Sequence, residues 1–223
     1  MKLENARVAV LVENMYQELE LWYPVLRLRE AGVEVTIVGP IAGEVYASKL
    51  GYPAVAEAGI DDVTADDFDA VVVPGGFSPE YLRRNPAIVD LVRSIDARGD
   101  TVAAICHAGW LLATADIVQG RKVTSVPVIK DDVIHAGGEW QNEPVVVDGN
   151  LITSQLPNDL PAFLLEIINS LENRPERDEP ERDRPARTPP ASSAVYREPA
   201  LLKNRAAAPG SANYRAYAVR PGA

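Results

Sequence analysis

Short stretches in which nearly every residue is apolar recur along this chain, and between them apolar residues return every three or four positions. Residues 8–12, 35–38, 69–73 and 101–105 are of the first kind: Val-Ala-Val-Leu-Val, Val-Thr-Ile-Val, Asp-Ala-Val-Val-Val and Thr-Val-Ala-Ala-Ile. A strand covered on both faces reads as such a continuous run. Residues 17–31, 86–98 and 160–171 have helical spacing. In 17–31 the stripe available for burial is Leu19, Trp22, Val25, Leu26 and Leu28, with Pro24 expected to offset the first turns and Gly32 to cap the end. Asn85 opens 86–98 and Gly99 closes it, while Asn158 or Asp159 stands near the start of 160–171. Val145-Val146-Val147, Asp148-Gly149 and Leu151-Ile152-Thr153 read as a hairpin with Asp-Gly as its turn signal. Strands alternating with helices imply a parallel sheet between two helical layers, a three-layer α/β sandwich. In such sheets binding sites form beyond the carboxyl ends of the strands. Three segments are expected there: 13–20, Gly75-Gly76 and Cys106-His107.

The pattern stops near Asn173. Beyond it, prolines and mixed charges alternate from 174 to 185, followed by a stretch rich in Ala, Pro, Arg and Tyr, a composition that builds no core. This divides the chain into a domain of residues 1–173 and a tail of 174–223, expected to be flexible or wrapped on a neighbouring subunit. The tail carries ten Lys or Arg against six Asp or Glu, so the formal charge of −10 for the whole chain conceals a more acidic body. That acidity argues against a nucleic-acid binder. No apolar run reaches the roughly eighteen residues of a membrane span, and the N-terminus does not read as a secretory leader. One cysteine and two histidines leave little material for a zinc site and none for an internal disulfide. A cytoplasmic protein without metal or other cofactor is the expectation.

Cys106 closes the apolar run of 101–105 and precedes His107-Ala108-Gly109-Trp110-Leu111-Leu112. Strand, tight turn and helix place its thiol beside a helix N-terminus, where backbone N–H groups favour a thiolate. A nucleophile exposed on such an elbow is one reading; a buried packing cysteine is the other. Gly75 and Gly76 follow a buried strand and let backbone N–H groups approach a ligand, either as an oxyanion hole or simply as a tight turn. Glu18 and Glu20 lie in the first strand-to-helix connection, where an acid next to Cys106 would hydrogen-bond a thiolate and an acid elsewhere would merely suit the helix dipole. Glu80 has the same two readings. His107 adjoins Cys106 in sequence, so side-by-side proton transfer between them is geometrically poor; orientation of substrate or action through water fits better. His135, in a helical stretch, is read as a bystander.

These segments together resemble the DJ-1/PfpI superfamily, and most closely its PfpI (intracellular protease I) branch. The resemblance rests on residues 103–112, Gly120-Arg121-Lys122-Val123-Thr124-Ser125, residues 18–24, Pro74-Gly75-Gly76, Ile129-Lys130-Asp131-Asp132 and residues 146–150. It implies a flavodoxin-like sandwich, Cys106 as elbow nucleophile, Glu20 hydrogen-bonded to the thiolate, and an oxyanion hole from the N–H groups of Gly76 and His107. It also implies that His107 pairs with Glu80 of a neighbouring subunit, making the site part of a dimer or hexamer. Two positions depart from the branch pattern: Gln17 stands where a second acid is usual, and Val126 where a tyrosine usually follows Thr-Ser.

The function this implies is a cysteine-dependent, stress-related enzyme of the glyoxalase III-like or deglycase kind, acting on reactive dicarbonyls or their adducts through a Cys106 hemithioacetal. An intracellular cysteine peptidase is the second reading, with peptides as substrates. A redox-sensing stress protein or chaperone using Cys106 oxidation is the third.

Overall fold

The four apolar runs form the middle of a seven-stranded sheet, and their continuous hydrophobicity serves two separate cores. In the computed structural model, which describes residues 1–174, the strands are β1 (Arg7–Leu11), β2 (Glu34–Gly39), β3 (Val45–Ala47), β4 (Pro53–Val55), β5 (Ala58–Gly59), β6 (Ala70–Val73), β7 (Thr101–Ile105), β8 (Lys122–Val123), β9 (Glu139–Trp140), β10 (Val145–Asp148) and β11 (Leu151–Ser154). The helices are α1 (Glu18–Glu30), α2 (Ser78–Leu82), α3 (Pro86–Ala97), α4 (Gly109–Thr114), α5 (Lys130–His135) and α6 (Leu160–Asn173). The large sheet runs β10-β11-β7-β6-β1-β2-β5, and every pairing in it is parallel except β10 with β11.

Because side chains alternate across a strand, Val8, Val10, Ala70, Val72, Ala103 and Ile105 pack with α1 and α6 on one face. Ala9, Leu11, Val71, Val73, Val102 and Ala104 pack with α3, α4 and α5 on the other. This is the mainly parallel three-layer sandwich expected from the alternation. The apolar stripe of α1 is Leu21, Val25 and Leu28, rather than one including Leu19 and Leu26, which are 56% and 61% exposed. Positions 21, 25 and 28 share one face at 100° per residue, whereas 19 and 26 fall on the opposite one. The helix continues through Pro24 to Glu30, and Gly32 follows its end at φ +89°. In the β10–β11 hairpin Asp148 pairs with Leu151, so Gly149 and Asn150 are the turn residues, not Asp148-Gly149. Asp159 stands at the N-cap position of α6, but its side chain accepts from the Leu156 amide (2.9 Å) rather than from the helix. The short strands β3, β4, β5, β8 and β9 have no counterpart in the apolar pattern, being too brief to carry one.

At the amino ends of the strands, Arg174 bridges the buried carboxylates of Asp69 and Asp100. Asp69 also accepts from the Arg7 amide (2.8 Å) and Asp100 from Arg98 Nε (2.8 Å). The Met1 ammonium donates to the carbonyls of Glu172 (2.9 Å) and Arg174 (2.8 Å), tying the start of the chain to the end of α6. Arg174→Ala is expected to destabilise the domain by about 2–3 kcal/mol in urea unfolding, below the ~3–5 kcal/mol of a buried pair broken outright, because each carboxylate keeps another donor. A midpoint unchanged from wild type would show the bridge to be energetically idle. The expected tail from 175 onward lies outside the described residues.

Candidate active site

Three strand ends converge where the sheet reading placed them, at the carboxyl edge of β1, β6 and β7. Ile105 leaves β7 in extended geometry, and Cys106 turns at φ +63°, a left-handed conformation that costs a non-glycine residue about 1–2 kcal/mol. A single 3-10 turn, Cys106–Ala108, then leads into α4. Cys106 is 8% exposed, and the backbone N–H groups of Gly76 and His107 face its sulfur. Its carbonyl accepts from the Val126 amide (3.3 Å).

Gly75 and Gly76 are required by space. A Cβ on Gly75 would lie 2.6 Å from Glu20 Oε2, 2.7 Å from Cys106 Cβ and 2.9 Å from the Ile105 carbonyl. Gly76 sits at φ +74° and pairs with Tyr16, and a Cβ there would strike the backbone of residues 15–17. The Gly75 N–H donates to Glu20 Oε2 (2.8 Å), so it orients the carboxyl and is not turned toward open space. The Gly75 carbonyl accepts from the Gln17 amide (3.3 Å) and from Ser78 Oγ (3.3 Å).

Glu20 is fully buried at the start of α1, placed there by Gln17, whose side-chain oxygen caps the helix by accepting from the Glu20 amide (2.8 Å). Gln17, where an acid was usual, therefore holds the backbone of the carboxyl-bearing residue. Glu20 Oε2 is bonded to Gly75, whereas Oε1 is buried with no partner among the described residues. Burial pushes the Glu20 carboxyl up to about 7, against the pull of the Gly75 amide, the Cys106 thiol and the more distant Lys49. Burial, reinforced by the Glu20 charge, pushes the thiol up to about 12, although the Gly76 and His107 amides favour its ionised form. Carboxyl and thiol thus retain a proton between them through the neutral range, and they titrate as a pair.

His107 leans on Trp110, ring centroids 4.8 Å apart, and Trp110 is held from its far side by Asp132 (indole Nε1 to Oδ2, 2.8 Å). Burial and the positive charge of Lys49 keep the imidazole neutral, below its ordinary range. His107 Nδ1 is buried without a partner among the described residues. Glu80, on α2, accepts from Arg84 (2.9 Å) and stands 3.5 Å from Arg83 of its own chain. Glu18 points away from the thiol, taking hydrogen bonds from Ser48 Oγ (2.5 Å) and the Leu50 amide (2.9 Å). His135 ends α5.

The structure gives roles to residues that the sequence reading left without one. Trp110 and Asp132 frame His107. Ser125 accepts from Trp140 Nε1 (3.0 Å) and so fixes the segment that carries Val126. Lys49 comes from the β3–β4 loop. No local pattern signals these roles: Trp110 is held by Asp132 and Ser125 by Trp140, each pair being distant in sequence.

Known proteins share this fold and much of this sequence. The family model described as "DJ-1/PfpI family" matches residues 6–170. Deglycase PfpI of Pyrococcus furiosus is 41% identical over 166 residues, covering 74% of this chain and 99% of that protein. Protein/nucleic acid deglycase 2 of Escherichia coli K12 is 41% identical over 169 residues, covering 75% and 98%. Among solved structures, DJ-1beta of Drosophila melanogaster superposes with a TM-score of 0.71 at 30% identity, covering 76% of this chain and 91% of that one. Among the described residues no helix is long and apolar enough to cross a membrane.

Proposed function

This chain belongs to the DJ-1/PfpI family, and from that premise we propose that it is a cysteine-dependent enzyme acting on reactive dicarbonyls or their adducts, with Cys106 as nucleophile. The observation that carries the proposal is a buried thiol beside a buried carboxyl whose titration burial raises to about 7, so that the pair, once it has lost one proton, shares the other between sulfur and carboxylate. Transfer of the thiol proton to Glu20, whose Oε1 has no other partner among the described residues, gives a thiolate beside a carboxylic acid without moving charge into solvent. The thiolate adds to an aldehyde carbon, the carbonyl π electrons move to oxygen, and Glu20 returns the proton to yield a hemithioacetal. The N–H groups of Gly76 and His107 would hold the oxyanion. A neutral His107 is suited to carry the proton from the former aldehyde carbon toward the neighbouring carbon, leaving a thioester that water cleaves. From methylglyoxal and one water the product is lactate, with no electron acceptor and no glutathione.

The relatives named as deglycases support the same carbonyl chemistry, with glycated amines in place of free aldehydes. We further propose that Glu80 of a second subunit approaches His107 in a homo-oligomer, which would give the buried Nδ1 a partner; hydrolysis or lyase chemistry then depends on the assembled site. The single thiol fits a reducing, cytoplasmic setting. A peptidase reading has weaker support here: the groups at Cys106 are a carboxyl and two amides, and acyl transfer calls for an imidazole in hydrogen-bond reach.

The test is lactate production from methylglyoxal without glutathione, by untreated protein and by protein alkylated stoichiometrically at Cys106, with glycated amino acids and a short peptide run beside it. Lactate formation that disappears on alkylation is expected. Methylglyoxal left untouched by protein whose thiol still titrates would end the proposal, and cleavage of the peptide alone would replace it with the peptidase reading.

A further inference from the structure

Phe77 keeps much of its ring out of the core. Of the three phenylalanines in the chain, Phe68 and Phe163 are buried, whereas Phe77 is 43% exposed. A closed circuit of contacts fixes its place relative to the thiol. Gly75 lies so near Cys106 that an added Cβ would stand 2.7 Å from Cys106 Cβ. Phe77 follows Gly75-Gly76 along the chain, and its ring meets the Trp110 ring edge-on, centroids 6.0 Å apart. Trp110 leans in turn on His107 (4.8 Å), and His107 is bonded directly to Cys106. The circuit returns to its start, so the rings of Phe77, Trp110 and His107 form one wall beside the elbow that carries the thiol.

The wall is braced on several sides. The Phe77 amide donates to the Met15 carbonyl (2.8 Å) and the Trp110 indole to Asp132 (2.8 Å). Tyr81 packs edge-on against Phe77 (5.6 Å), with the Arg84 guanidinium 5.1 Å over its ring. The charged groups nearby are engaged with one another or with the rings: Glu80 with Arg83 and Arg84, Asp132 with Trp110. What the wall presents outward is therefore apolar surface, joined by Met15, which is 41% exposed. Rings already held in place lose little freedom when a ligand arrives, and a further ring packs on them edge-to-face or offset. The patch is a few side chains, the size of one ligand group, against the roughly 20–30 residues a side of a stable subunit contact.

We infer that Phe77 and Trp110 are specificity residues of this site, a subsite for an aromatic group carried by the compound that reacts with Cys106. The reacting carbon joins the sulfur, and the remainder of the molecule, which the thiol does not hold, meets ring surface next to the elbow. The carbonyl chemistry in this inference rests on the function proposed above; the recognition of an aromatic group beside the thiol does not.

Two ratios separate them. Cys106 in the full chain is alkylated with iodoacetamide and with N-benzyl iodoacetamide, uncharged probes of which only the second carries a ring. The ratio of the benzyl rate to the plain rate is compared among wild type, Phe77→Ala, Phe77→Tyr and Trp110→Ala. It is expected to fall about fivefold in Phe77→Ala and in Trp110→Ala and to hold in Phe77→Tyr. A ratio equal in Phe77→Ala and wild type overturns the inference, even if both rates fall, because a change in the thiol or in folding moves both probes together. If the ratio holds and Phe77→Ala sediments at a lower mass than wild type, the ring belongs to a contact between copies of the chain instead. The second ratio is kcat/KM for phenylglyoxal over that for methylglyoxal, with mandelate and lactate as products, each from one aldehyde and one water. It is expected to fall about tenfold in Phe77→Ala. If the alkylation ratio falls and this one does not, the aromatic substrate is ruled out. If wild type consumes neither aldehyde, the carbonyl chemistry fails while the alkylation ratio still decides the subsite.

Discussion

Glu20→Gln is expected to lower kcat/KM for methylglyoxal by about 10²- to 10⁴-fold, the range of a lost acid–base group. Glutamine is isosteric, and its side-chain oxygen still accepts from the Gly75 amide, so the frame around Cys106 is retained. What disappears is the carboxyl placed to take and return the thiol proton. The pH dependence gives a sharper signature. Below about 7 the Glu20–Cys106 pair of the wild type holds two protons, and the thiol is unreactive. As pH rises through about 7 one proton leaves, and the other is shared between carboxylate and sulfur. Alkylation by iodoacetamide is therefore expected to rise with an inflection near 7 in wild type. In Glu20→Gln that inflection should vanish, because the buried thiol must then release its proton directly to solvent.

Stability moves the other way. The folded-state carboxyl is raised from its ordinary 4.5, so it contributes its full stabilisation below about 4.5 and loses it as pH climbs through about 7. Above 7 the wild type carries a buried charge that Glu20→Gln lacks. The variant is expected to melt higher than wild type at pH 8 and to show the smaller change between pH 5 and pH 8. Retained activity within threefold, or an unmoved inflection, would remove Glu20 from the chemistry. A variant less active but more stable is the usual sign that a residue is kept for function.

Gly75→Ala carries the second large effect. Its φ lies outside the left-handed region, so the demand on this position is purely steric. The added methyl would press on Glu20 Oε2, Cys106 Cβ and the Ile105 carbonyl, and the last belongs to the backbone of a central strand and cannot step aside. Either the carboxyl or the elbow must move. A displacement near 1 Å at reacting groups costs about 10²-fold, and forcing a methyl into a packed site costs about 1–3 kcal/mol. Gly75→Ala is accordingly expected to lose at least about 10²-fold in kcat/KM and to unfold at lower urea. Gly32→Ala is the matched control: no atom lies within 4 Å of its added Cβ, so its cost is confined to the strain of φ +89° and should spare activity. Equal activity losses in the two variants would mean that Gly75 acts only through stability.

The elements most readily seen in the residues were those whose burial repeats within a few positions. The runs ending at Val12, Val38, Val73 and Ile105 are apolar on both faces, and each lies in a strand with helices above and below. Leu19 and Leu26 misled because composition supplies apolar residues on two opposite faces of α1, and only the sheet decides which face is covered. Strands of two or three residues such as Ala58–Gly59 are too short for periodicity to register.

The site divides along the same line. That Cys106 lies at a strand-to-helix elbow, and that Gly75 and Gly76 follow another strand, depends on short-range order, and the chain determined it alone. That Glu20 is fully buried, and that one of its oxygens takes the Gly75 amide while the other has no partner among the described residues, depend on loops more than fifty residues apart meeting at one sheet edge. Proton affinity and charge at the reacting atom are set by burial and distance in space, and no local pattern of residues contains either.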